Sequence, residues 1–256
     1  MTSRSRSRSP VDPVVVISSD DEGDDNKDGD LDDNLVVLEV FSRCRVSPYI
    51  VKAGYRAFNL DQKDGQDVFS IDGRRHFWSG LHHKPKVMIL SPPCTMFSTL
   101  QQTNKTKMNP RVWQNQMRLT EFMWDMAIRM ARAQHKGGCA FIIEHPASAL
   151  SWNRSTTKAF LNQFPRIQEV VFDMCAIGMR APGTLEPIRK RTKLLTNSDL
   201  VVRAFQTLQC TCQVPHMRIS GRYQGQNLST YAAHYPEPMC ELLANLSLQI
   251  AGIQSE

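Results

Sequence analysis

No apolar run in this chain approaches the roughly 20 residues that a helix needs to cross a bilayer, so no membrane partner is expected. The first ten residues alternate serine with arginine and lack the apolar centre of a secretory signal. The seven cysteines are odd in number and mostly isolated, which does not read as a disulfide framework. A reducing compartment is therefore expected, the nucleus first and the cytoplasm as the alternative. What is present is an ordinary globular composition, 41% hydrophobic over 256 residues, enough for one good-sized domain or two small ones.

Charge is unevenly spread. Four cations against ten acidic residues leave residues 1–34 at −6, so residues 35–256 carry +12 of the chain's net +6. A basic domain of that kind suits a polyanion such as DNA, with RNA as the alternative. Residues 1–34 are rich in Ser, Asp, Gly and Arg and are expected to form a disordered tail. One β-prone island, Val14-Val15-Val16-Ile17, is followed by Ser18, Ser19 and the acidic run Asp20-Asp21-Glu22. It is similar to a SUMO-interacting motif, which adds as a strand to the edge of a partner sheet. Phosphorylation of Ser18 or Ser19 would strengthen the contact.

From residue 35 the pattern alternates between strand and helix. Strands are predicted over 35–41, 56–60, 87–90, 140–143 and 167–172. Helices are predicted over 48–53 with Gly54 as its stop, over about 111–135 ended by Gly137-Gly138, over 156–163, and over about 239–250. Met117, Phe122, Met126 and Met130 make a core stripe on the long helix. Such alternation predicts an α/β fold, a mostly parallel sheet with helices on both faces. Ligands of such sheets bind beyond the carboxyl ends of the strands. Asp61, Cys94 and Glu144 all fall at predicted strand ends.

Ser91-Pro92-Pro93-Cys94-Thr95-Met96-Phe97-Ser98 follows the 87–90 strand, with two prolines to stiffen the turn before the cysteine. Pro93-Cys94 resembles the nucleophile motif of the cytosine-5 DNA methyltransferases, and the resemblance extends over nearly all of residues 35–252. Leu38-Glu39-Val40-Phe41 resembles the family's first cofactor strand. Glu144 matches the glutamate of its Glu-Asn-Val motif, with His145 in place of the asparagine. Arg189-Lys190-Arg191 resembles its Arg-x-Arg motif, and residues 232–239 loosely resemble its last motif. The resemblance implies a Rossmann-like methyltransferase domain over 35–256 that binds S-adenosylmethionine. It implies Cys94 as nucleophile, Glu144 as the acid at cytosine N3, and Arg191 or Arg189 as the anchor for the base or a phosphate. Phe41, Asp61, Asp67 and Pro93 would hold the cofactor. The chemistry fits these residue types, because a thiolate added to C6 makes C5 nucleophilic and an acid must stabilise the added electron density. The family's first loop is glycine-rich, whereas Ser42-Arg43-Cys44-Arg45-Val46-Ser47 contains no glycine and puts Arg43, Arg45 and Val46 where a cofactor would approach.

Other readings stay open at this level. Ser91-Pro92-Pro93 is also similar to the loop of amino-group methyltransferases, but those need an aromatic residue at position 94. Cys210, Cys212 and His216 are candidate zinc ligands with His234 or Cys240 as the fourth, set against an incidental polar loop. Arg218, Arg222 and Tyr223 mix charge with an aromatic ring in a way that suits single-stranded nucleic acid. The alternative to an enzyme is an inactive methyltransferase fold serving as a nuclear scaffold or chromatin adaptor, derived from a mobile element or virus.

Overall fold

A computed structural model describes residues 35–61 and 68–253. The predicted tail, its Val14–Ile17 island and Asp67 lie outside the described residues. Four parallel strands form one side of a six-stranded sheet: β1 (Leu35–Val40), β2 (Arg56–Leu60), β3 (Val87–Leu90) and β4 (Ala140–Pro146), in the order β2-β1-β3-β4 with β2 at the edge. Beyond β4 the sheet turns mixed. β6 (Arg191–Thr196) runs antiparallel both to β4 and to β5 (Gln168–Asp173), so the full order is β2-β1-β3-β4-β6-β5.

The central strands are buried on both faces, as parallel strands covered by helices must be. Alternation along each strand then sends neighbours into two separate cores. Val37, Val87, Ile89 and Ile142 pack with Ile50 of α1 (Ser47–Lys52), Phe205 of α6 (Asp199–Gln206) and Leu243 of α8 (Glu237–Ile250). Leu38, Val40, Met88, Leu90, Phe141 and Ile143 pack on the other face with Phe77 of α2 (Ile71–His82), Trp124 of α4 (Pro110–Lys136) and Phe160 of α5 (Ser155–Gln163).

The 27-residue α4 starts at Asn109, whose side chain accepts from the Arg111 amide, with Pro110 in the first turn. It ends at Gly137-Gly138, where Gly138 takes φ 76°. Gly80 of α2 lies so close to the sheet that a Cβ there would meet Leu60 Cδ1 at 2.9 Å. Two short helices, α3 (Thr99–Gln102) and α7 (Leu228–Tyr231), and a hairpin of β7 (Arg222–Tyr223) with β8 (Gln226–Asn227) complete the described chain. Gln224 and Gly225 both take positive φ at the hairpin turn, so the strands keep their twist across a two-residue loop.

The strand order reverses direction between β1 and β3. β2 follows β1 on one side, and the chain then crosses back to lay β3 on the other. At such a switch point the connecting loops diverge and leave a crevice at the carboxyl ends of the strands.

Candidate active site

The ends of β1, β3 and β4 come together at this switch point, and sheet hydrogen bonds hold them in place. Ser91 N donates to Val40 O at 3.0 Å and Phe41 N to Leu60 O at 2.9 Å. Cys94 opens a 3-10 turn over Thr95–Phe97, closed by Phe97 N donating to Cys94 O at 3.1 Å. Met96 and Phe97 are buried and tie the turn down, while Pro93 is exposed and Cys94 half-buried.

Glu144, in β4, is 7% exposed and holds two donors that are remote in sequence. Lys190 Nζ lies 3.3 Å from its Oε1, and Tyr235 Oη donates to its Oε2 at 3.4 Å. The Tyr235 hydroxyl is also 2.6 Å from that of Ser91, at the end of β3. Arg45, from the loop after β1, places its guanidinium 4.6 Å from the centre of the Tyr235 ring. Burial first, then Glu144, pushes the Tyr235 phenol well above its ordinary value, so it stays a donor. Burial also raises the Cys94 thiol. Lys190 pulls it back down, Glu144 pushes it up, and Arg45 pulls it down. Cys94, Glu144, Lys190, Tyr235 and Arg45 thus form one electrostatic unit.

The arginines singled out in the sequence are engaged elsewhere. Arg189 donates to both carboxylate oxygens of Asp173, at 3.1 and 3.3 Å, and Arg191 Nε is 4.0 Å from Oδ1 of the same residue. Neighbouring residues of an extended segment face opposite ways, so with both arginines turned to β5 the side chain between them, Lys190, meets Glu144. The Lys190 carbonyl accepts from Met174 N and that of the next residue, Arg191, from Ala147 N, each at 3.0 Å, which pins this segment on both sides. The cation at Glu144 is therefore the middle residue of Arg189-Lys190-Arg191.

The glycine-free loop folds around Glu39. This carboxylate is fully buried and accepts from the amides of Arg45, Val46 and Ser47 and from the hydroxyls of Ser42 and Ser47, the shortest being 2.6 Å. Among residues 42–47 none takes positive φ, so the turn does not require glycine. Phe41 just before it does, at φ 62°, with its ring stacked on Phe77 at 5.4 Å. Of the three side chains expected to obstruct a cofactor, Arg43 is exposed and Val46 is buried in the α1 face of the core. Only Arg45 reaches the crevice.

His145 is a packing residue. Its ring lies 4.8 Å from Trp124 and 6.0 Å from both Phe97 and Trp152, and its Nδ1 is 2.7 Å from Ser151 Oγ. Burial, then Lys190, depresses its pKa from 6.5 to about 3, while the backbone at Pro93 and Pro92 pulls the other way. A neutral imidazole thus joins β4 to the turn that carries Cys94.

Asp61 is 8% exposed at the end of β2. Cys210, Cys212 and His216 gather at a separate place, beside Cys175. A cavity of about 620 Å³ opens between the 103–110 loop and the start of α4, lined by Lys105, Trp113, Met117 and Arg118 among others. No helix of the described residues is long and apolar enough to cross a membrane. No protein-family model matches the chain, and no curated protein matches it significantly.

Proposed function

We propose that this chain is a methyltransferase of the cytosine-5 type, acting on cytosine in DNA through a covalent bond from Cys94 to C6 of the base. The observation that carries the reading is the hydrogen-bonded group of Glu144, Lys190 and Tyr235 at the switch point of the sheet, with Cys94, fifty positions before Glu144, within its electrostatic reach. The sheet order, with four parallel strands and its reversal between β1 and β3, supports a Rossmann-like methyltransferase core.

In this reading Lys190 favours the Cys94 thiolate, which adds to C6 of a base taken out of the helix stack. Glu144 faces the N3 and exocyclic amino edge, held there by Lys190 and Tyr235. Once C5 carries the new methyl group, its proton passes to water and the Cys94–C6 bond breaks, which returns the thiolate and frees the base. S-adenosylmethionine, when bound, supplies the methyl group. The residues present suit it. Asp61 at the end of β2 would take the ribose hydroxyls. The Nε of Arg45 is buried and meets no acceptor among the described residues, so it is available to the cofactor's carboxylate. Lys105 and Arg118 beside the cavity at the start of α4 supply cations that suit nucleic-acid phosphates, while Trp113 there is buried.

The test incubates the full chain with S-adenosylmethionine and a 5-fluorocytosine DNA oligonucleotide, where the fluorine blocks release. The expected result is a denaturation-resistant adduct mapped to Cys94 and lost in Cys94→Ser. An adduct with the RNA oligonucleotide alone would move the substrate to RNA. Absence of any adduct, together with no calorimetric binding of S-adenosylmethionine, would replace the enzyme by the scaffold reading.

A further inference from the structure

Outside the crevice, four soft ligands converge from two distant parts of the chain. Cys175 is buried in the 3-10 turn Met174–Ile177 that follows β5, and Cys210, Cys212 and His216 lie in the loop that leaves α6. Their three sulfurs and one imidazole nitrogen all lie within 4.8 Å of one another, and Cys210 Sγ is 3.3 Å from His216 Nε2. Cys175, Cys210 and Cys212 form no disulfide. Four donors on a tetrahedral zinc, with Zn–S near 2.3 Å, stand about 3.7 Å apart, the scale of this cluster.

We propose that Cys175, Cys210, Cys212 and His216 bind one zinc ion. Three thiolates and an imidazole are the donor set of a closed structural site, in which all four positions are filled by protein and none is left for water or substrate. Cys175 takes the place that the sequence pattern offered to His234 or Cys240. Cys240 is instead buried in α8, and His234 Nδ1 lies against the carbonyls of Thr230 and Tyr231.

The surroundings are those of a positioned site. Asp173, beside Cys175, accepts from the Cys210 amide at 3.1 Å and is itself held by Arg189. Arg180 donates to the Cys175 carbonyl at 2.9 Å. Both ends of the ligand loop are tied to the sheet side, with Asp173 N on Leu208 O and Met217 N on Pro187 O, each at 2.9 Å. Between these ties the loop forms no helix or strand, and Val214 is 56% exposed. Apolar burial gives this loop little hold, and a metal supplies the missing staple. The same turn reaches the crevice, because the amide of Met174, next to Cys175, donates to the carbonyl of Lys190. Zinc would therefore steady the backbone that carries the cation of Glu144. The site itself requires no catalytic activity of the chain.

The test is metal analysis of the full chain, purified under reducing conditions without chelator from zinc-supplemented medium. The expected result is about one zinc per chain, falling well below half in Cys212→Ser and in His216→Ala and unchanged in Cys139→Ser. Because a ligand variant can fail to fold, the unaltered chain is also reconstituted with cobalt(II). Thiolate-to-cobalt charge transfer with strong tetrahedral d–d absorption is expected. A folded, reduced, metal-free chain that gives no such spectrum would overturn the site. So would a disulfide among Cys175, Cys210 and Cys212 found by peptide mapping of freshly reduced and repurified protein.

Discussion

Glu39 and Glu144 are both buried, both on central strands, and both near the mouth of the same crevice, yet they are held in opposite ways. Glu39 is saturated from within eight residues, by three amides and two hydroxyls of its own loop. Glu144 has two long contacts, at 3.3 and 3.4 Å, from residues 46 and 91 positions away. A carboxylate whose lone pairs are all taken by adjacent backbone acts as a fastener for that backbone. One held loosely at a rim by an ammonium and a phenol keeps acceptor capacity for a ligand. Two glutamates of similar burial thus differ in the sequence distance and strength of their partners, and in the acceptor capacity they keep.

The most direct way to break that contrast is to make the same change at both positions. Glu39→Gln puts an amide among donors that converge on two oxygens, and it is expected to lower stability by about 2–4 kcal/mol, read as a fall in the urea midpoint. Glu144→Gln is expected to leave the midpoint nearly unchanged while slowing adduct formation with 5-fluorocytosine DNA by about 100-fold or more. If the two variants exchange these outcomes, the assignment of roles is reversed.

Lys190 against Arg191 is the next comparison. Lys190→Met removes the cation that lowers the Cys94 thiol, so the pH profile of Cys94 alkylation should move upward, whereas Arg191→Met should leave it in place. Equal profiles in the two variants would deny Lys190 its influence on Cys94.

These contrasts show where sequence reading stops. The runs Val87–Leu90 and Ala140–Ile143 announce buried strands by composition alone, and Gly137-Gly138 marks the end of α4 within a residue. The positions of Cys94 after β3 and of Glu144 in β4 were legible because each follows such a run. Lys190 was not, because its direction depends on the register of β6, an antiparallel strand inserted between β4 and β5, and a one-residue slip of a strand reverses every side chain. α2 was missed for a different reason. Ile71–His82 contains Gly73, Gly80 and five charged or histidine side chains, so its apolar stripe is thin and its start rests on the Ser70 cap. Glu39 has no pattern of its own, since its meaning lies in the fold of a loop that has not yet formed when the strand is read. Cys175 stands 35 positions before Cys210, and the end of β5 brings it to the other ligands.

The smallest expected effect comes from His145, which follows Glu144 directly and extends the same contrast to a titrating group with no ligand to bind. Its pKa falls from 6.5 to about 3 in the folded chain, so between those values the unfolded chain binds the extra proton. Stability then rises with pH across this window and is lost as pH falls through it, with a slope of at most about 1.4 kcal/mol per pH unit from this one group. His145→Asn is expected to cost some packing against Trp124 at every pH, but to flatten the acid slope of the urea midpoint between pH 6.5 and 3. The slope separates the two effects, because lost packing shifts the whole curve while the missing proton changes only its tilt. An unchanged tilt would mean that the ring beside Glu144 already carries a proton in the folded chain. Its contact with Phe97 would then place a charge, and not a neutral wedge, behind the turn that presents Cys94.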